Sequence, residues 1–171
     1  MNLVKIFSVV ILSSILFMTG RICLGQDAGL FSAGATRVSI RLGSGTAFNR
    51  DYSVVGAGVG RYVADGLEAG LEAESWSGSS PKISRITPGI QYVVLRGGSA
   101  YPYTGTFATR TFIESHHDTS TIGFRAGALF VTGRSAYLGV GLIHEIQIAC
   151  DHGVYASCSS TYPELLLAFL F

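Results

Sequence analysis

Leu67-Glu68-Ala69-Gly70-Leu71-Glu72-Ala73-Glu74-Ser75 is the stretch that decides the fold. Leu67, Ala69, Leu71 and Ala73 hold the odd positions, and Glu68, Gly70, Glu72 and Glu74 the even ones. A strand sends successive side chains to opposite faces, so this period of two gives one apolar and one acidic face. Helical spacing would set Glu72 beside Ala69 and Ala73 and scatter charge through the apolar surface. The segment is a strand.

The same period runs outward in both directions. Thr36 to Leu42 alternates strictly, with Arg37 and Arg41 on the polar side. Ile86, Ile90, Tyr92 and Val94 oppose Thr87, Gly89 and Gln91; Ile122, Phe124, Ala126, Ala128 and Phe130 oppose Gly123, Arg125 and Gly127. Leu138, Val140, Leu142, Ile146 and Ile148 oppose Gly139, Gly141, Glu145 and Gln147. Three segments are less regular. In 54–63 the apolar face is Val55, Ala57, Val59 and Val63, opposite Gly56, Gly58 and Gly60. In 101–113 it is Tyr101, Tyr103, Phe107 and Ile113, opposite Arg110; 162–171 is apolar on both faces apart from Glu164. Eight strands result. Tight glycine turns at 63–66, 96–99 and 132–135 alternate with longer polar stretches at 43–51, 77–82, 114–120 and 151–160. Alternating turn lengths mark an all-β, antiparallel, up-and-down barrel whose two rims face different compartments. The 22 glycines, four prolines and 13% charged residues suit such strands.

The leader is set apart from the fold. Lys5 precedes an apolar run from Ile6 to Met18, and Cys23-Leu24-Gly25 offers small residues before a cleavage point at Gln26. This is the layout of a secretory signal peptide over 1–25, leaving a single domain over 26–171. The apolar run is too short for a membrane helix, and Arg21 and Ile22 fit a lipobox at Cys23 poorly. The mature chain carries 10 basic and 11 acidic residues, a balance that gives no reason to expect a nucleic-acid partner. In an exported protein Cys150 and Cys158, flanking a polar loop, read as a disulfide, with two free thiols as the alternative.

The last strand ends on Phe171, preceded at spacing two by Phe169, Leu167 and Leu165. Soluble chains seldom finish on a bare apolar strand, whereas a barrel in lipid places such an end at the aromatic interface. On that strand Leu166, Ala168 and Leu170 then face inward. The run Val59-Gly60-Arg61-Tyr62-Val63-Ala64-Asp65-Gly66-Leu67-Glu68-Ala69-Gly70-Leu71-Glu72 resembles the second hairpin of the small outer-membrane β-barrel proteins. That family includes the opacity-type surface antigens and the membrane domain of outer membrane protein A. Thr87-Pro88-Gly89-Ile90-Gln91-Tyr92 and Ala100-Tyr101-Pro102-Tyr103 resemble its next two strands. The resemblance implies a transmembrane barrel in the outer membrane of a Gram-negative bacterium, in contact with lipid and lipopolysaccharide. It also implies that Leu165, Leu167, Phe169 and Phe171 form the signal read by the barrel-assembly machinery after passage through periplasmic chaperones.

If apolar faces meet lipid, the lumen receives a charge cluster: Arg37, Arg41, Glu68, Glu72, Glu74, Arg110, Arg125 and Glu145, with Gln147 and Glu164. An eight-stranded lumen is only wide enough for side chains, and isolated buried ions cost several kcal/mol. A salt-bridged plug therefore outweighs an ion pathway, with narrow water pockets allowed by the glycine stripe of 56–60. His116, His117 and Asp118 share a loop without zinc-site spacing, and no metal or cofactor is expected. Some barrels of the resembling group act on lipid A acyl chains through a His-x-Ser arrangement; here His144 is followed by Glu145 and Ile146, with no serine two residues on. A lipocalin-like binder, with its apolar faces inward, is the architectural competitor. The residues favour a non-enzymatic barrel with a structural or adhesive role, whose external ligand would meet Phe48, Trp76, His116, His117 and Tyr155.

Overall fold

A computed structural model describes residues 29–48, 50–95, 98–148 and 157–171. It contains eight strands: β1 (Thr36–Ala47), β2 (Arg50–Ala64), β3 (Leu67–Ser77), β4 (Ile83–Val93), β5 (Ala100–Ile113), β6 (Thr119–Val131), β7 (Ala136–Gln147) and β8 (Ser159–Leu170). Each pairs antiparallel with its sequence neighbours, and β1 meets β8 to close the barrel. The start of β1, the end of β8 and the turns at 65–66 and 132–135 lie at one end, the terminal end. The connections at 78–82 and 114–118 lie at the other, the loop end.

The alternation carries through to the walls. Val38, Ile40, Val59, Leu71, Ile90, Phe124, Val140 and Leu167 point outward and are exposed, which gives the barrel an apolar outer belt. The polar partners of these residues point inward. In β8, Leu165, Leu167, Phe169 and Phe171 face out while Leu166, Ala168 and Leu170 are buried in the lumen.

Two expectations fail, each for a physical reason. The polar stretch 43–51 is not a long loop: β1 and β2 stay in register up to Ala47↔Arg50, so only two residues separate the strands. A strand that rises above the apolar belt has water outside it, so polar residues there do not mark a loop. The facing of β5 is also inverted. Tyr101, Tyr103, Phe107 and Ile113 point into the lumen, and Arg110 points out, 53% exposed, to pair with Asp118 at 3.1 Å. The rings are the larger bodies and fill the interior. The small outward residues Thr104, Thr106 and Ala108 cover the wall, and the Thr106 hydroxyl donates to the Gly123 carbonyl at 3.0 Å.

Candidate functional site

The lumen is built in layers. At the terminal end the segment before β1 turns back into the barrel and inserts Phe31, which is wholly buried. Its ring packs at 5.8 Å from Tyr62, 5.1 Å from Tyr101 and 5.7 Å from Tyr137, the geometry of favourable aromatic pairs. Backbone bonds hold it: Gly66 N–H donates to the Phe31 carbonyl at 2.8 Å and Gly34 N–H to the Tyr62 carbonyl at 2.8 Å. Val93, Leu129, Leu166 and Leu170 complete this apolar stopper.

Above it lies a charged layer. Arg37 and Arg41 project from β1, and Glu68, Glu72 and Glu74 from β3, with β2 between them. The two sets meet because at this level β2 presents Gly56, Gly58 and Gly60 to the lumen: a Cβ added at Gly58 would lie 2.7 Å from Ser39 Oγ and 2.9 Å from Glu72 Cγ. Arg37 Nε donates to Glu68 at 2.7 Å, and Arg41 bonds Glu74 at 2.9 Å and Glu164 at 2.6 Å. Arg125, from β6, clasps both oxygens of Glu72 at 3.0 Å and stands 4.8 Å over the Phe107 ring. Glu72 also faces Arg41 at 3.0 Å and Arg37 at 3.5 Å, so three guanidiniums converge on one carboxylate. Tyr103 and Tyr162 donate from their hydroxyls to Glu164 at 2.9 Å and Glu145 at 2.8 Å. The void against the glycine stripe measures about 10 Å³, and the larger one between Arg37, Gln91 and Arg125 about 20 Å³. Each has room for about one water.

Of the expected cluster, Arg37, Arg41, Glu68, Glu72, Glu74, Arg125 and Glu145 lie in this layer, and Arg110 lies outside the barrel. Its place is taken by Arg85, from β4, which bridges Glu74 at 3.6 Å and bonds Glu145. Arg85 stands one residue before the apparent start of the alternating run at Ile86. Its position, in step with Thr87, Gly89 and Gln91, was the signal that it belonged to the polar face.

At the loop end the lumen widens into a cavity of about 490 Å³ whose floor includes Arg41, Arg85, Glu74 and Glu164. Trp76 lines it from within, its ring 5.6 Å from the Arg85 guanidinium and 6.0 Å from Tyr52, and is not a loop residue. Phe48 and His116 meet at the rim, 5.0 Å apart, and His117 is exposed beside them. Tyr155 and Cys150 lie outside the described residues. His144 sits on the outer wall, its Nδ1 2.7 Å from the Thr161 hydroxyl and its ring 5.1 Å from Phe124.

No family model matches the chain, and no curated protein matches its sequence. Solved structures do. The N-terminal β-barrel domain of Pseudomonas aeruginosa OprF aligns over 81% of this chain and 98% of its own, with 15% identity and a TM-score of 0.57. The fold is that of the small eight-stranded outer-membrane barrels. Neisserial surface protein A matches equally well, over 80% of this chain and 94% of its own, at 12% identity and a TM-score of 0.57. Identities this low carry the architecture and leave the lumen and the loops to be read from their own residues.

Proposed function

We propose that the chain is a non-enzymatic integral protein of the Gram-negative outer membrane, closed to ions, with a structural or surface-interaction role. The outer belt of Val38, Ile40, Leu71, Phe124, Val140 and Leu167 supports the membrane placement, since a surface so apolar calls for lipid. A closed barrel leaves no strand edge to be satisfied in hydrocarbon over the paired part of the wall. The single observation behind the closed lumen is its two stacked seals: the Phe31 stopper and the arginine–glutamate layer. The terminal end then faces the periplasm and the loop end faces outward, where lipopolysaccharide forms the surroundings. Phe48, His116 and His117 are the rim residues available to an external ligand.

Planar-bilayer recordings of the purified protein test the seal. The expected record is flat, without steady current at moderate voltage. Stable, large, ion-selective conductance from the unmodified barrel overturns the closed lumen and makes the protein a pore.

A bridge between Cys150 and Cys158 would tie the last loop to the start of β8. A closed loop of this length contributes about 2–3 kcal/mol in the chain-entropy model. Mass spectrometry of unreduced, alkylated protein is expected to find one mass two hydrogens below the dithiol, with neither cysteine alkylated. Two alkylated cysteines would remove the bridge.

A further inference from the structure

The seam that closes the barrel is incomplete. β1 pairs with β8 over five residues only, from Arg37↔Leu170 to Arg41↔Leu166. Its other edge pairs with β2 along its whole length, from Thr36↔Arg61 to Ala47↔Arg50. β8 likewise stays on β7 from Ala136↔Phe169 to Ile146↔Ser159. Beyond Arg41 and Leu166, therefore, the two strands are each held by their outer neighbour and part from one another.

The composition of β8 agrees with an edge at that place. Phe171 and Thr36 exchange both backbone bonds across the seam, each at 2.9 Å, whereas Leu170 N–H donates to Ser135 on the β7 side. Bonding direction alternates along a strand, so Pro163, an even number of residues before Phe171, turns its nitrogen toward β1. Proline has no N–H to donate and is tolerated in sheets mainly at such edges. One donor that would stand unpaired at the gap is simply absent.

The gap meets the cavity. Leu42 and Leu165, whose side chains belong to the outer face, line the same 490 Å³ space as the inward Arg41 and Glu164. The cavity thus reaches outward-facing residues of both strands at the place where their pairing stops. Its lower lip lies within the apolar belt, since Leu42 is paired with the outward Val55 and Pro163 with the outward Leu142. Irregular backbone at this depth is tolerated where it lines a cavity rather than bare lipid.

We propose that the barrel wall opens between β1 and β8, and that the hydrocarbon chain of a bilayer amphiphile with a net-neutral head passes through it into the cavity. The inference rests on the membrane placement proposed above. The passage is lined by Leu42, Pro163 and Leu165, which suits a chain and not a charged solute. On the floor, the Nε atoms of Arg41 and Arg85 have no hydrogen-bond partner among the described residues, and Arg85 is more than nine-tenths buried. The connected layer beneath holds Glu68, Glu72, Glu74, Glu145 and Glu164 against Arg37, Arg41, Arg85 and Arg125, one negative charge in excess, which disfavours an anionic head.

Trp76, the chain's single tryptophan, lines the cavity and reports on its contents. The full protein would be reconstituted in vesicles of phosphatidylcholine brominated on its acyl chains, a lipid that does not leave the bilayer. Bromine quenches indole at short range, so strong quenching of Trp76 is expected. Gly43→Phe should remove most of it by filling the opening; a Cβ at Gly43 meets nothing within 4 Å, so the ring has space. A second variant, Leu42→Cys with Leu165→Cys joined by a short bis-maleimide, should do the same by pinning the seam. Brominated phosphatidylglycerol is expected to quench less than phosphatidylcholine, and equal quenching overturns the preference for a neutral head. Trp76 quenching that is weak from the start, or unchanged in both variants, overturns the opening while a protease-protected, inserted barrel keeps the membrane reading. A chain that fails to insert in any vesicle overturns the membrane reading itself, and the two failures are told apart by the insertion assay.

Discussion

Removal of Phe171 is expected to leave export intact and to strip most of the protein from the membrane fraction. The backbone of this residue closes the seam. Its N–H donates to Thr36 and its carbonyl accepts from Thr36, both at 2.9 Å, and these bonds clamp the terminal end of the shortest seam in the barrel. With only five register pairs between β1 and β8, losing the clamp weakens closure far more than trimming any other strand would. The side chain has a separate part. It is 81% exposed and makes no contribution to the lumen, so its ring is free for the membrane interface or for an assembly factor. Phe171→Ala separates the two, because it keeps both backbone bonds. If alanine restores insertion, closure is the cause; if it does not, the ring is what assembly reads. Fractionation with membrane flotation measures both variants, and normal insertion of the truncated chain would count against the assembly role of Leu165, Leu167, Phe169 and Phe171.

The barrel was legible in the sequence where one kind of residue faced each way. In β3 the glutamates and in β1 the arginines could only be inward, and a period of two then settled the outward residues. Legibility failed where the lumen itself is apolar. β5 carries aromatic residues at one parity and small polar ones at the other, and the rule that apolar faces meet lipid put its tyrosines outside. They are inside because Phe31, Tyr62 and Tyr137 form an aromatic layer there for Tyr101 to join. Phe31 had no periodic context at all: it lies before the first strand, in a turn held by backbone bonds that carry no side-chain signature. The meaning of Gly56, Gly58 and Gly60 was also hidden. A stripe of glycine reads as empty space in one strand, but the neighbours' long side chains cross over it. Whether space in a lumen is filled depends on the two adjacent strands, and so on register.

Glu72→Gln is expected to destabilise the barrel by about 3–5 kcal/mol, the usual cost of breaking a buried ion pair from one side. Glu72 sits on β3 at the point where Arg37, Arg41 and Arg125 converge. Two of these keep close partners after the change: Arg37 holds Glu68 at 2.7 Å, and Arg41 holds Glu74 at 2.9 Å and Glu164 at 2.6 Å. Arg125 loses both bonds of its bidentate clasp and retains Glu164 at 3.2 Å and the face of Phe107. Glutamine returns one acceptor oxygen but turns an amide N–H₂ toward guanidinium donors, so part of the cationic cluster faces donors instead of charge. The counterpart outside the barrel is Asp118→Asn, which breaks the exposed pair with Arg110 and should cost no more than about 1 kcal/mol, because water screens it. Removing both charges, with Glu72→Met and Arg125→Met, should recover much of the loss, since well-packed apolar groups often replace a buried pair at little cost. Urea unfolding of each variant from lipid vesicles, followed by Trp76 fluorescence, gives the three values on one scale. Equal small losses for Glu72→Gln and Asp118→Asn would mean that water reaches the lumen charges, and the electrostatic seal would have to be abandoned.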